Sequence, residues 1–321
     1  MVYPELLMTD INIIALAGGV GGAKLADGLA QVLQPDHLTI IVNTADDFTH
    51  LGLRISPDLD TVCYTLAGLA NPETGWGRSN ETWHVFESLK KMGMPDWFQL
   101  GDSDLATHLV RSIRLCEGRT VSQITQDFCR MWGINIKVLP MSDDVIQTRV
   151  YTNEGELGFQ EYFVHHRCEP IVRGFNFEGA EESRPAPGVL EAIDRCDAII
   201  ICPSNPWVSI DPILSIPNIK KAVENRLVIA VSPIIGSKTI KGPAAKMFME
   251  MGIQPSALAV AQHYASIINC LVIDNSDVVL EREINKLGMR TLVTDILMCD
   301  KSDRGRLARE IIEYIIVYGR G

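Results

Sequence analysis

Short, continuously apolar runs alternate along the chain with longer stretches in which apolar residues recur every three or four positions. Residues 11–16 form a run of mostly branched residues that leads into Gly18-Gly19-Val20-Gly21-Gly22, and residues 23–33 follow with apolar positions at helical spacing. The reading is strand, glycine turn, helix. Residues 38–42 form a second strand, apolar on both faces, as expected where helices cover both sides of a parallel sheet. Further on, residues 81–92 read as a helix, and Thr120 with Gln123 makes a capping box for a helix reaching about Met131. From 149 to 177 the pattern changes to short alternating or aromatic strands, 150–152 and 159–163, around Gly155 and Gly158. Helix and strand then alternate again: helices at 189–195, 219–225 and 243–251, strands at 198–202, 227–231 and 270–273, and a closing amphipathic helix at 301–318. The fold class is therefore α/β: a Rossmann-like, mostly parallel sheet flanked by helices, with residues 1–75 and 178–321 as the nucleotide-binding core and 76–177 as a smaller inserted lobe.

The length of 321 residues suits this plan, at roughly 150 residues per domain. A net charge of −11, with no block of like charges, disfavours a nucleic-acid partner. No apolar run approaches the ~20 residues needed to cross a bilayer, and Glu5 and Asp10 stand where a signal peptide carries positive charge, so a cytoplasmic protein without a membrane partner is expected. The eight cysteines are scattered with no C-x-x-C pair, which indicates reduced thiols. A homodimer is the base-rate expectation for assembly.

The candidate chemistry lies in the turns. Gly18 to Gly22, with Lys24, sits where backbone N–H groups and a positive helix end cradle an anion. Lys24 occupies the third glycine position of the dinucleotide fingerprint, and the Walker A spacing is absent, so neither NAD nor ATP is implied. The competing reading is a turn that only lets strand and helix pack closely. Asn43-Thr44-Ala45-Asp46-Asp47 closes the second strand, and Ser56-Pro57-Asp58-Leu59-Asp60-Thr61 precedes an apolar helical stretch. Four carboxylates so close together, at the carboxyl end of a parallel strand, suit Mg²⁺ shared with substrate phosphates. Capping competes as a role for Asp58 and Asp60, and a solvated loop for Asp46 and Asp47. Pro203-Ser204-Asn205-Pro206 and Ser232-Pro233-Ile234-Ile235-Gly236 add two polar turns on the same edge, and Lys238 and Lys241 offer positive charge to a diphosphate or a solvated face. His165 and His166 are adjacent and on a strand point to opposite sides, a poor metal pair. His108 and His263 lie in helix-like segments with no partner at ligand spacing, so zinc is not expected. Trp76, Trp83 and Trp97 supply rings to flank a flat ligand or to fill a core.

These segments, together with Leu100-Gly101-Asp102-Ser103-Asp104-Leu105-Ala106-Thr107-His108 and Leu139-Pro140-Met141-Ser142-Asp143-Asp144, closely resemble in order and spacing the 2-phospho-L-lactate transferase family of coenzyme F-420 biosynthesis. The resemblance covers nearly the whole chain. It implies transfer of a phospho-lactyl or phospho-enolpyruvyl group from a guanosine-diphospho-linked donor to the ribityl hydroxyl of 7,8-didemethyl-8-hydroxy-5-deazariboflavin, with release of GMP. It also implies that Asp60 contacts the deazaflavin or a metal, and that the lobe helps to form the deazaflavin site. Gln99 departs from the archaeal pattern, which has a Lys contacting the deazaflavin there, and marks a bacterial-type member. Such a transfer needs positioning and charge neutralisation rather than a covalent nucleophile. The expectation is Mg²⁺ on Asp60 and Asp46, with Asp60, Asp46 or Asp47 orienting the hydroxyl proton. Around the substrates stand Gly18, Gly19, Gly21, Gly22, Lys24, Asn43, Thr44, Asp58, Thr61, Ser204, Asn205, Pro206, Ser232, Gly236 and Lys238. The alternative is a non-catalytic, nucleotide-sugar-binding regulator of carbon metabolism on the same glycine-turn scaffold. In such regulators the paired aspartates run into Gly-Gly-Ser-Ser, whereas here they run into Phe48-Thr49-His50.

Overall fold

The computed structural model describes residues 11–236, 238–239 and 242–318. Seven strands form the main sheet: β1 (Ile13–Ala17), β2 (Leu38–Val42), β3 (Lys137–Pro140), β4 (Ala198–Ile201), β5 (Leu227–Val231), β6 (Cys270–Asp274) and β7 (Arg290–Thr294). Their order is β7-β6-β5-β4-β1-β2-β3, and every pairing is parallel. The helices that matter for the site are α1 (Gly19–Val32), α2 (Pro57–Leu66), α3 (Asp102–Cys116), α4 (Val121–Met131) and α5 (Lys301–Tyr318).

Successive strand residues serve opposite faces. Ile14 and Leu16 of β1 enter one hydrophobic cluster, and Ile13, Ala15 and Ala17 enter the other. Two-sided burial explains the continuous apolar runs, since each fully buried Ile or Leu contributes about 1.5–3 kcal/mol. Helix α1 buries Leu25, Ala26 and Leu29 and lies against α5, so closely that a Cβ at Gly28 would sit 2.2 Å from the Arg304 carbonyl oxygen. The capping box at Thr120 and Gln123 is formed and opens α4. Because the chain moves outward from β1 to β3 and then returns on the other side of β1 with β4, the strand order reverses between β1 and β4. Open α/β sheets place ligands at the carboxyl ends of such a pair.

Three sequence expectations change. Helix α1 begins at Gly19, so the glycines form its first turn rather than a loop before it. Strand β3 falls inside the 76–177 span and pairs with β2, so that span is not one continuous lobe. A separate antiparallel sheet does form there, from Gln147–Thr152, Gly155–Gly158 and Val172–Glu178. Residues 159–163 are not a strand: Glu161–His165 is a widened helical turn with Tyr162 fully buried, so its aromatic spacing reflects packing on a turn rather than a pleat. Lys241 lies outside the described residues. No helix among the described residues is long and apolar enough to cross a membrane.

Candidate functional site

A cleft of about 780 Å³ opens at the reversal point. One wall is the start of α1. Gly19 has φ +63° with nothing within 4 Å of where a Cβ would be, so only the backbone conformation demands glycine there. Gly21 is fixed by close approach instead: a Cβ would lie 2.2 Å from the Pro203 carbonyl oxygen. Gly18 and Gly22 are similarly crowded, by Asp58 with Ser209 and by Ser204 with Ala17. The close-packing role weighed for this turn is therefore present, and it brings the turn against the β4 loop. Ser204 Oγ accepts from the Gly18 N–H at 3.2 Å and donates to the Gly18 carbonyl at 2.9 Å. Asp58 accepts from the Gly19 N–H at 2.8 Å and from Asn43 Nδ2 at 3.0 Å. A helix start leaves its first N–H groups without intrahelical partners, and those of Val20 and Gly21 find no protein acceptor among the described residues. Lys24 lines the same wall, its Nζ donating to the Met298 carbonyl at 2.6 Å.

The floor is acidic. Asp46 and Asp58 both line the cleft, and both are buried. Burial pushes the Asp46 carboxyl well above the ordinary carboxylate range, and the neighbouring Asp58 and Asp47 charges add to this. Burial raises Asp58 as well, against the hydrogen bonds from Asn43 and Gly19. Asp46 Oδ1 has no hydrogen-bond partner although it is buried. Two such carboxylates lining one cleft, one with an unsatisfied oxygen, offer an all-oxygen donor set suited to a hard divalent cation shared with phosphate. Asp47 stands behind the floor, where Ser56 Oγ donates to it at 2.6 Å and Arg54 approaches at 3.6 Å. Burial raises its pKa to about 7 against these two partners.

Asp60 is not brought together with Asp46 at the cleft. Two residues along a helix turn the side chain about 200°, so with Asp58 facing the cleft Asp60 faces away. Its carboxylate is bound by both terminal nitrogens of Arg111. His108 lies 3.6 Å from Asp60 and 3.3 Å from Asp104, and Arg111 is 3.1 Å from His108 Nδ1. Burial disfavours the Arg111 charge, but the Asp60 carboxylate, with Tyr64 and Asp47, holds its pKa above the ordinary guanidinium value. Sequence reasoning missed Arg111. The available signal was an inverted helix: α3 buries Thr107, His108 and Arg111 while exposing Leu109, Val110 and Ile113.

The remaining candidates divide. Thr61, Asn205 and Ser232 line the cleft. The Asn205 side chain accepts from the Trp207 N–H, and Ser232 Oγ donates to the Ile234 carbonyl, so each also shapes its own loop. Asn43, Thr44 and Pro206 are buried beside the cleft without lining it. The Gly236 N–H donates to Asp277, and Lys238 lines a smaller neighbouring cavity with Asp274 and Asp295. Trp76, Trp97, Phe98, Phe159 and Phe163 also line the cleft, with Gln99 among them, while Trp83 packs on Phe86 instead.

Over 311 residues the chain is 41% identical to a phosphoenolpyruvate transferase of Streptomyces griseus, covering 94% of this chain and 98% of that one. It is 44% identical over 281 residues to a phosphoenolpyruvate transferase of Thermobifida fusca, covering 83% and 87%. It is 38% identical over 301 residues to a 2-phospho-L-lactate transferase of Methanosarcina mazei, covering 94% and 99%. A crystal structure of a UPF0052-family protein from Bacillus halodurans shares the fold at a TM-score of 0.63 and 18% identity, covering 94% of this chain and 99% of that one. With the profile of 2-phospho-L-lactate transferase CofD matching residues 13–311, the chain belongs to that family of transferases.

Proposed function

We propose that this protein moves a phospho-enolpyruvyl or phospho-lactyl group from a guanosine-diphospho-linked donor to the ribityl hydroxyl of 7,8-didemethyl-8-hydroxy-5-deazariboflavin, releasing GMP, as a step of coenzyme F-420 assembly. The observation that carries the reading is one cleft with three chemistries: helix-start N–H groups without a protein acceptor among the described residues, two buried carboxylates and several aromatic rings. The names of the bacterial relatives favour the enolpyruvyl donor over the lactyl one.

In this reading the Val20 and Gly21 N–H groups hold the donor diphosphate at the positive end of α1. Trp76, Trp97 and Phe159 flank the flat deazaflavin. Asp46 and Asp58 are the residues that fit Mg²⁺, replacing the pair Asp60 and Asp46 expected from sequence. Bound there, Mg²⁺ supplies neutralisation of diphosphate charge. Asp46, through the oxygen that lacks a partner, is placed to orient the acceptor hydroxyl proton, while Asp60 with Arg111 stiffens α2 behind Asp58. Little covalent work is required of the chain, because phosphoryl transfer is governed by positioning and electrostatics.

The test is an equilibrium titration with the fluorescent deazaflavin, using riboflavin and a UDP-sugar as competitors, with and without Mg²⁺ and GDP. Saturable binding selective for the deazaflavin is expected, followed by turnover with the enolpyruvyl donor. Absence of deazaflavin binding alongside tight UDP-sugar binding would overturn the proposal.

A further inference from the structure

From the side chains of Glu161, His165 and His166 we infer a second metal site, at the rim of the cleft and distinct from the carboxylate floor, that takes a divalent transition metal of the zinc class. One ligand atom from each residue lies within 4.8 Å of the others, the spacing of groups that share a single ion. Adjacent histidines on a strand point apart, but this segment is a widened helical turn. The His166 N–H donates to the Glu161 carbonyl five positions earlier at 2.9 Å, and the Cys168 N–H donates to the Tyr162 carbonyl at 2.9 Å. In such a turn positions i, i+4 and i+5 share one side, which brings both imidazoles over Glu161. Arg167 and Cys168 then turn left-handed, at φ 51° and 59°, and end the turn.

The ring geometry supports a preformed site. The His165 and His166 centroids are 5.0 Å apart, and His165 stacks on Trp97 at 5.2 Å with planes 18° apart. Trp97 packs in turn against His50, at 5.1 Å and 77°, which limits its freedom to move. Tyr162 anchors the opposite side of the turn in the core. Two imidazole nitrogens and one carboxylate oxygen, with a position left for water, match the ligand set of open zinc sites. Imidazole ligands favour Zn²⁺, Ni²⁺, Cu²⁺ and Co²⁺ over Mg²⁺, so this site and the Asp46–Asp58 pair select different ions. The neighbouring residues Phe159, Gln160, Phe163 and Val164 line the cleft. An ion held by Glu161, His165 and His166 therefore fixes the turn that carries part of the aromatic lining.

The experiment uses the full, untagged chain, stripped of metal, reduced, and kept in excess Mg²⁺ so that hard-cation sites are filled. Zn²⁺ is titrated by calorimetry, and Co²⁺ by its visible absorption. The expected result is one equivalent of Zn²⁺, with affinity weakened tenfold or more by His166→Ala and by Glu161→Gln, and a Co²⁺ spectrum typical of low coordination that both variants lose. All three side chains are at the surface or half-buried, so the variants keep the fold, which circular dichroism checks. Wild-type affinity in both variants, absence of binding, or displacement of Zn²⁺ by Mg²⁺ would each overturn the inference. No substrate enters this experiment, so its outcome is independent of the transferase reading.

Discussion

Replacing Arg111 by Met separates the two roles that Asp60 can have. Both partners are almost fully buried: the Arg111 side chain is 3% exposed and that of Asp60 8%. Arg111→Met leaves Asp60 buried without its countercharge, a change that costs about 3–5 kcal/mol. For 321 residues at about 2.1 cal/mol/K each, the unfolding entropy is about 0.7 kcal/mol/K, so the melting temperature should fall by about 4–7 °C. Asp60→Asn alone strands the guanidinium and should cost a similar amount. The double variant Asp60→Asn/Arg111→Met removes both charges and should recover much of the loss, with a coupling of about 2 kcal/mol or more in a double-mutant cycle. Urea unfolding and thermal melts supply the stabilities, and steady-state turnover is measured on the same four proteins. Additive losses in the double variant, or a single Arg111→Met variant as stable as the wild type, would refute a coupled buried pair. Wild-type-like turnover in the recovered double variant assigns Asp60 to support of α2. A persistent loss of roughly 10²-fold returns it to the chemistry.

Other outcomes follow from the same geometry. Asp46→Asn and Asp58→Asn should each lower turnover by roughly 10²-fold and shift the Mg²⁺ requirement upward, read from rate against Mg²⁺ concentration; an unchanged Mg²⁺ curve in both would remove the pair as ligands. Gly21→Ala drives a methyl group into the Pro203 carbonyl and should weaken GDP binding at least tenfold in a calorimetric titration. Gly28→Ala makes an equally tight contact with Arg304 away from the cleft, so it should cost about 1–3 kcal/mol in urea while leaving GDP affinity unchanged. In metal-free buffer, stability should fall as pH rises from about 4 to about 7. Asp47 titrates near 7 in the fold against 3.8 in a free chain, and Asp46 and Asp58 are raised too, so over that range the unfolded chain ionises while the folded protein resists. Mg²⁺ should flatten the decline in melts across pH; stability that climbs through this window without metal would contradict the assignment.

The parts of the fold that read directly from sequence are those where one force dominates. Strands β2 and β5 match their predicted spans residue for residue, because both faces are covered and only Thr39, half-buried in β2, departs from an apolar run. Strand β7 escaped notice because at the sheet edge its residues are only half-buried, which leaves no continuous apolar run. The placement of β3 depends on strand order, which no local pattern encodes. At the site, the glycine turn and the acidic segments were legible as chemistry. Which carboxylate faces the ligand was not, because Asp58 and Asp60 differ only in helical phase, and that phase is set by Asn43 and Gly19 on one side and Arg111 on the other.

The pairing of Gly18 with Ser204 has a consequence for how the chain is made. These residues are 186 positions apart, and Lys24 meets Met298 274 positions further along. At about 5–20 residues per second on the ribosome, the start of α1 emerges roughly 10–40 s before the loop that completes it. Until then β1 has only one of its two neighbours, since β2 follows it closely while β4 is not yet synthesised. The anion cradle is thus encoded first and assembled late. A nucleotide present during synthesis therefore has no finished site to stabilise until most of the chain has appeared, and early folding must rely on apolar packing of the first strands and helices.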